Sequence, residues 1–288
     1  MKTIISNSKV SVIIHHKGAE LISLKNTDTQ HEYIWEGNPR YWAKHSPILF
    51  PIVGTLKNNC YTYKNKIYSL ARHGFARDMV FDLISSLSEM SNAEAIFSLR
   101  KNIETEKMYP FDFELQIKYA LTNSQLLIVY KVINNGSNVM YYSIGGHPAL
   151  ALPKNFEKYS LQFQTQENLI SHQLENDLLS NKTKDITLYN NQLPLSYSLF
   201  ENDALIFKKI KSKQITILEN NVPILNFKYD GFPNFGIWTK NNAPFICLEP
   251  WAGYSDLLNS RGTLADKEGI QKLDHNDFIE YRFSIEIL

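Results

Sequence analysis

Apolar and polar residues alternate with a period of two along most of this chain, and that pattern leaves little room for anything but β-structure. In FELQIKYAL (residues 113–121), Phe113, Leu115, Ile117, Tyr119 and Leu121 fall on one side, with Glu114, Gln116, Lys118 and Ala120 on the other. This is how a strand with one face in a core reads. QLLIVYKVIN follows after a Thr-Asn-Ser turn, so the two segments predict a hairpin. Asn135-Gly136 then signals a tight turn leading into a strand that ends at His147. KVSVII, ELISLK, MVFDLIS, EAIFSLR, QITILE, PILNFKY, FICLE and YRFSIEIL are further strand candidates. Helical periodicity is weak, with single turns expected near residues 105–108 and 253–258. The polar stretch 164–191 reads as a long loop holding one short strand, and KKIKSK (208–213) as a solvated hairpin tip. Many short strands separated by Asn- and Gly-rich turns predict an all-β fold, a large antiparallel sandwich with few short helices. No linker or repeat interrupts residues 1–288, which reads as one domain.

Composition narrows the function classes. The 16 Tyr, 16 Phe and 4 Trp suit pleated, half-buried surfaces. A net charge of +1 with no basic stripe argues against nucleic acid as a partner. The longest apolar run, PILFPIVG, carries two prolines and is far too short to span a membrane. Two cysteines, Cys60 and Cys247, are too few for a disulfide framework and show no metal-type spacing. They are expected to remain unpaired in a cytoplasmic protein.

Three stretches carry candidate chemistry: LARHGFARD (70–78), GGHPAL (145–150) and FICLEPWAGYSD (245–256). Each sets a histidine or carboxylate after an apolar segment and beside Gly or Pro. Any one could be structural; together they look like polar groups converging on a cleft. In the third, Cys247 and Glu249 share a strand face, and a carboxyl so placed should be desolvated, its pKa raised toward proton-transfer range. The two glycines before His147 would leave bare backbone for a flat ligand. No H-x-H, C-x-x-C, G-x-S-x-G, phosphate-loop or dinucleotide motif occurs, which leaves acid–base chemistry without metal or cofactor.

On these residues the chain resembles the aldose 1-epimerase (galactose mutarotase) family, in particular its LacX-like branch. The resemblance rests on GAELISLK, YIWEGNPRYW, PILFPIVG, HGFARD, YPFDFEL, GGHPAL, FGIW and PFICLEPWAG, which occur in order from Gly18 to Gly253. HGFAR, GGHPA and EPW are fairly specific as a set. The resemblance implies a galactose mutarotase-like β-supersandwich that interconverts the α and β anomers of an aldose. It implies Glu249 as the base at the anomeric hydroxyl and His147 as the acid at the ring oxygen. His73 would bond the sugar near the reacting end, with Asp203 as a hydroxyl-binding candidate.

One departure stands out. Many family members carry an arginine where this chain has Thr55; Lys57, two residues on, could point the same way but lacks arginine's planar fork. Arg77, four residues after His73, is a candidate partner for a sugar phosphate, or else pairs with Asp78. The expected ligand is a small sugar or sugar phosphate, bound by a monomer or homodimer. A non-catalytic sugar-binding protein is the competing reading: Thr55 favours it, and the intact His147 and Glu249 oppose it. Glycoside cleavage would want a second carboxylate comparable to Glu249, and none is evident.

Overall fold

The computed structural model describes residues 1–89 and 91–288. Two large antiparallel sheets dominate it, one of nine strands and one of eight. The alternating segments above form the middle of the nine-stranded sheet. Phe113–Thr122 pairs with Gln125–Asn134 through Thr122 opposite Gln125, and Phe278–Ile287 flanks the second of them. Phe113, Leu115, Ile117, Tyr119 and Leu121 are all buried, as alternation requires. The eight-stranded sheet runs Leu178–Ile186, Leu169–Glu175, Leu205–Phe207, Asn234–Trp238, Phe245–Ala252, Ile144–Gly146 and Ile48–Leu49, with Ala149–Ala151 also on Phe245–Ala252. A smaller three-stranded sheet is formed by Lys2–Ser6, Val10–His15 and Glu20–Asn26.

The sheets meet through aromatic side chains: Phe235 of the eight-stranded sheet lies 4.6 Å from Tyr229 and 6.2 Å from Phe227 of the other. Phe245–Ala252 is buried at all eight positions. Ile246, Leu248 and Ala252 belong to the core between the sheets, whereas Phe245, Cys247, Glu249 and Trp251 point away from it. That outward face is buried by loops and not by a third sheet, and the site lies there.

Four expectations need correction. The 164–191 stretch is a hairpin of Leu169–Glu175 and Leu178–Ile186, turned at Asn176 and Asp177, which both have positive φ (51° and 65°). Its polar composition belongs to an exposed edge, not a loop. Asn135-Gly136 does not fold the chain back on itself. The Asn134 amide donates to the carbonyls of Asn138 (2.8 Å) and Leu273 (3.0 Å), and the next strand, Met140–Tyr142, pairs with Gln271–Leu273. Residues 253–256 are irregular, not a helical turn, because Asp256 N–H donates to the Thr55 carbonyl (2.8 Å). The 208–213 run is no hairpin tip; it carries the chain from the eight-stranded to the nine-stranded sheet. The other helical expectation holds: Ile103–Met108 is an α-helix whose Asn102 side chain accepts from the Glu104 and Thr105 N–H groups. Among the described residues no helix is long and apolar enough to cross a membrane. Cys60 and Cys247 are both free thiols.

Candidate functional site

Register brings the first two groups together. Gly145 lies opposite Trp251 and Ala149 opposite Cys247, so His147 falls opposite Glu249 at the point where Pro148 interrupts the ladder. Residues opposite one another on one face of an antiparallel pair are near neighbours. His147 Nε2 accordingly stands 3.2 Å from Glu249 Oε2, with 11% and 1% of the two side chains exposed. The contact is not aligned as a hydrogen bond, and His147 Nδ1 has no hydrogen-bond partner either.

The glycines before His147 make room for protein and not for a ligand. A Cβ on Gly145 would lie 2.4 Å from the Trp251 ring, and one on Gly236, from the neighbouring strand, 2.6 Å from the same indole. Trp251 thus lies across two glycines and floors the cleft. Gly146 faces the core, where a Cβ would come within 3.1 Å of Phe283 and Tyr130.

A cleft of about 560 Å³ opens above this floor, walled by Trp42, Trp238, His73, Arg72, Arg77 and Asp203 among others. Trp42 stacks on the His147 ring at 4.8 Å and 29°, and Trp238 meets the same ring edge-on at 5.7 Å. His73 has φ of +69° and directs its imidazole toward His147, ring centres 6.0 Å apart. Gly54 N–H donates to His73 Nδ1 (3.1 Å), while Arg72 Nε lies 3.3 Å from Nε2. A neutral imidazole can accept at only one nitrogen. Arg72 is held by Asp177, so both contacts aim a donor at the ring, and a neutral His73 accepts from one of them only.

Arg77 lines the cleft with its Nη2 donating to the Arg72 carbonyl (2.7 Å) and its Nε 3.7 Å from Asp78. Asp203 lines it too, 3.9 Å from Arg72. Lys57 does not line it. It opens a 3-10 turn, Lys57–Asn59, and its ammonium is tied to the carbonyls of Leu258 (2.8 Å) and Ser260 (3.3 Å). Thr55 is buried, its N–H donating to Ser255 Oγ (3.0 Å). The guanidinium at the mouth belongs to Arg72, which bonds Asp177 (2.8 Å) on the 164–191 hairpin. Arg72 and Trp42 both sit in motifs quoted above, LARHGFARD and YIWEGNPRYW, yet nothing in the local pattern singles them out as site residues.

Burial sets the electrostatics. It raises the Glu249 carboxyl well above the ordinary carboxylate range, offset only in part by the Arg72 charge. It also drives His147 down to about 3, helped by Arg72 and Arg77, and lowers His73 strongly, helped by His147 and Arg72. The pair therefore holds one proton across a wide pH range, as protonated carboxyl and neutral imidazole. Both groups being ordinary in the unfolded chain, it would hold two protons below about pH 4.5, one up to about 6.5 and none above. Stability from this pair is thus greatest in that middle window. It falls with rising pH above the window, where the folded pair keeps a proton that the unfolded chain has lost, and with falling pH below it. Thermal midpoints of wild type and Glu249→Gln measured from pH 4 to 9 test this: the variant gains on wild type as pH rises above 6.5. Parallel curves there would mean that Glu249 is ionised in the native state.

Fold and site together define a β-sandwich protein with a buried histidine–carboxyl pair in an aromatic cleft. The chain belongs to the aldose 1-epimerase family, a family of sugar isomerases, whose sequence model matches residues 1–265. It is 33% identical to the chromosomal LacX protein of Lactococcus lactis subsp. lactis, over 99% of this chain and 98% of that one. A galactose mutarotase related enzyme from Lactobacillus acidophilus has the same fold, with a TM-score of 0.93, 32% identity and coverage of 100% and 97% of the two chains. A galactose mutarotase-like protein from Lactobacillus casei gives 0.92 and 29%, covering both chains fully.

Proposed function

We propose that this protein interconverts the α and β anomers of an uncharged aldohexose. The observation that carries the reading is the in-register His147–Glu249 contact at 3.2 Å, buried at the floor of a sugar-sized cleft. Anomer exchange takes one proton from the anomeric hydroxyl and gives one to the ring oxygen, so a pair holding one transferable proton suffices. With a pyranose in place the working form is carboxylate and imidazolium. Glu249 accepts the hydroxyl proton, His147 protonates the ring oxygen, and the C1–O5 bond breaks to give the open aldehyde. The pair then stands as protonated carboxyl and neutral imidazole, the form that burial favours. The aldehyde rotates about C1–C2, O5 attacks its other face, and both protons return. The His73 imidazole lines the cleft and is suited to hydrogen-bonding the sugar, and the Trp42 and Trp251 rings suit its apolar face.

An uncharged substrate fits because the cleft's cations face partners within the protein: Arg72 bonds Asp177, Arg77 lies against Asp78 and the Arg72 carbonyl, and Lys240 bonds the Tyr41 carbonyl. Anomer-exchange NMR over glucose, galactose and their 6-phosphates tests activity and substrate together. No exchange above the spontaneous rate with any of them would overturn the reading.

Rate should stay flat through pH 6.5, where a free histidine titrates, because the pair's proton count does not change there. A half-maximal rate at that pH would mean that His147 titrates alone. Trp42 bears on the acid limb. An indole face stabilises an adjacent cation by roughly 0.5–2 kcal/mol, so Trp42→Leu should lower kcat by about tenfold and move the acid limb to lower pH, with Trp42→Phe between. A loss of kcat with an unmoved limb would mean that Trp42 only packs.

A further inference from the structure

The two groups that face the sugar have a third neighbour which anomer exchange does not use. Cys247 precedes Glu249 by two residues on the Phe245–Ala252 strand and shares its face, opposite Ala149 on one side and Trp238 on the other. Its thiol is fully buried. One nitrogen of His147, the Cys247 sulfur and one carboxylate oxygen of Glu249 all lie within 4.8 Å of one another. Three atoms so placed fit within a sphere of about 2.8 Å radius, so a point exists no farther than that from any of them, against about 2.0–2.3 Å for zinc bonds to nitrogen, oxygen and sulfur. Contraction by about 0.5–0.8 Å closes the gap. Nitrogen, sulfur and oxygen in one set are zinc-type donors, three protein donors leave a fourth tetrahedral position, and His147 and Glu249 of the set line the cleft.

We infer that a thiophilic divalent cation of the zinc class binds His147, Cys247 and Glu249 and, by occupying them, competes with the sugar. The cation displaces the thiol proton and the proton held by the pair, both of which pass to solvent. Thiolate, carboxylate and neutral imidazole remain as ligands. Thiolate selects zinc, cobalt or copper over magnesium and calcium, so the hard cations should leave turnover alone. Binding does not depend on the anomer-exchange reading; the inhibition does, and the two are measured separately.

Co²⁺ titrated into the apo-protein should develop a thiolate-to-cobalt charge-transfer band in the near ultraviolet, saturating at one ion per chain. Zn²⁺ should displace that band and, in an anomer-exchange assay, abolish turnover at the same stoichiometry, with EDTA restoring it. Cys247→Ala should keep basal exchange, lose the band and weaken zinc inhibition by at least the roughly 10–100-fold that even an outer-shell change costs. Cys247→Ser, closer in volume, serves the same purpose should alanine leave a cavity that unfolds the strand. A Co²⁺ complex without the band, or Cys247→Ala inhibited by zinc as readily as wild type, would overturn the inference. The band without inhibition would show the site to be real and the competition wrong, refuting the second half alone.

Discussion

Glu249→Gln should lose about 10²–10⁴-fold in kcat while keeping the wild-type circular dichroism spectrum. The amide has the carboxyl's shape but cannot take up the anomeric proton, and burial means that no water stands in for it. His147→Asn should fall by a similar factor, since it keeps a polar group but cannot pass a proton to the ring oxygen. The double variant should lose less than the product of the two single losses, because the residues act on one coupled proton transfer. Polarimetry of fresh α-anomer on all four proteins decides it. Near wild-type turnover by folded Glu249→Gln would remove Glu249 as the base and the mechanism with it.

Breaking the ion pair beneath the loop after the Phe245–Ala252 strand should have the largest effect on stability. Lys267 Nζ stands 3.1 Å from Asp256 Oδ1, with 2% and 3% of the side chains exposed. The same ammonium donates to the Tyr254 carbonyl (2.5 Å), and Asp256 Oδ2 accepts from the Lys57 N–H (2.9 Å). The pair thus ties residues 254–257 to residues 55–57, and with them Ser255 on the cleft wall. Lys267→Met strands a carboxylate in the interior, at a cost of about 3–5 kcal/mol. Adding Asp256→Asn removes the stranded charge while keeping an acceptor for Lys57, and should recover much of that loss. Urea unfolding of the three proteins measures both steps. Lys267→Met within about 1 kcal/mol of wild type, the worth of an exposed pair, would mean that the carboxylate finds water or another partner.

Much of the fold was legible because alternation is local. A strand with one buried face must show it in the chain, and the Phe113–Thr122 and Gln125–Asn134 hairpin follows directly from it. The 164–191 hairpin escaped because edge strands need few apolar residues, and Asn135-Gly136 misled because Asn134's hydrogen bonds, made to residues far along the chain, send the turn elsewhere. The glycines show the same limit. Their sequence context suggested room for a ligand, whereas the indole of Trp251, more than a hundred residues away, fills the space over Gly145.

The site divides along the same line. The chain alone determined which residues could do chemistry: His73, His147 and Glu249 each stand where an apolar segment ends, and local sequence records that. Whether two of them touch depends on strand register, which is set by pairing between residues about a hundred apart. Only the tertiary structure put His147 opposite Glu249, took Lys57 out of the cleft to hold the Leu258 and Ser260 carbonyls, and set Arg72 at its mouth. The direction of a long side chain follows from which carbonyl or carboxylate lies within its reach, and no local pattern encodes that distance.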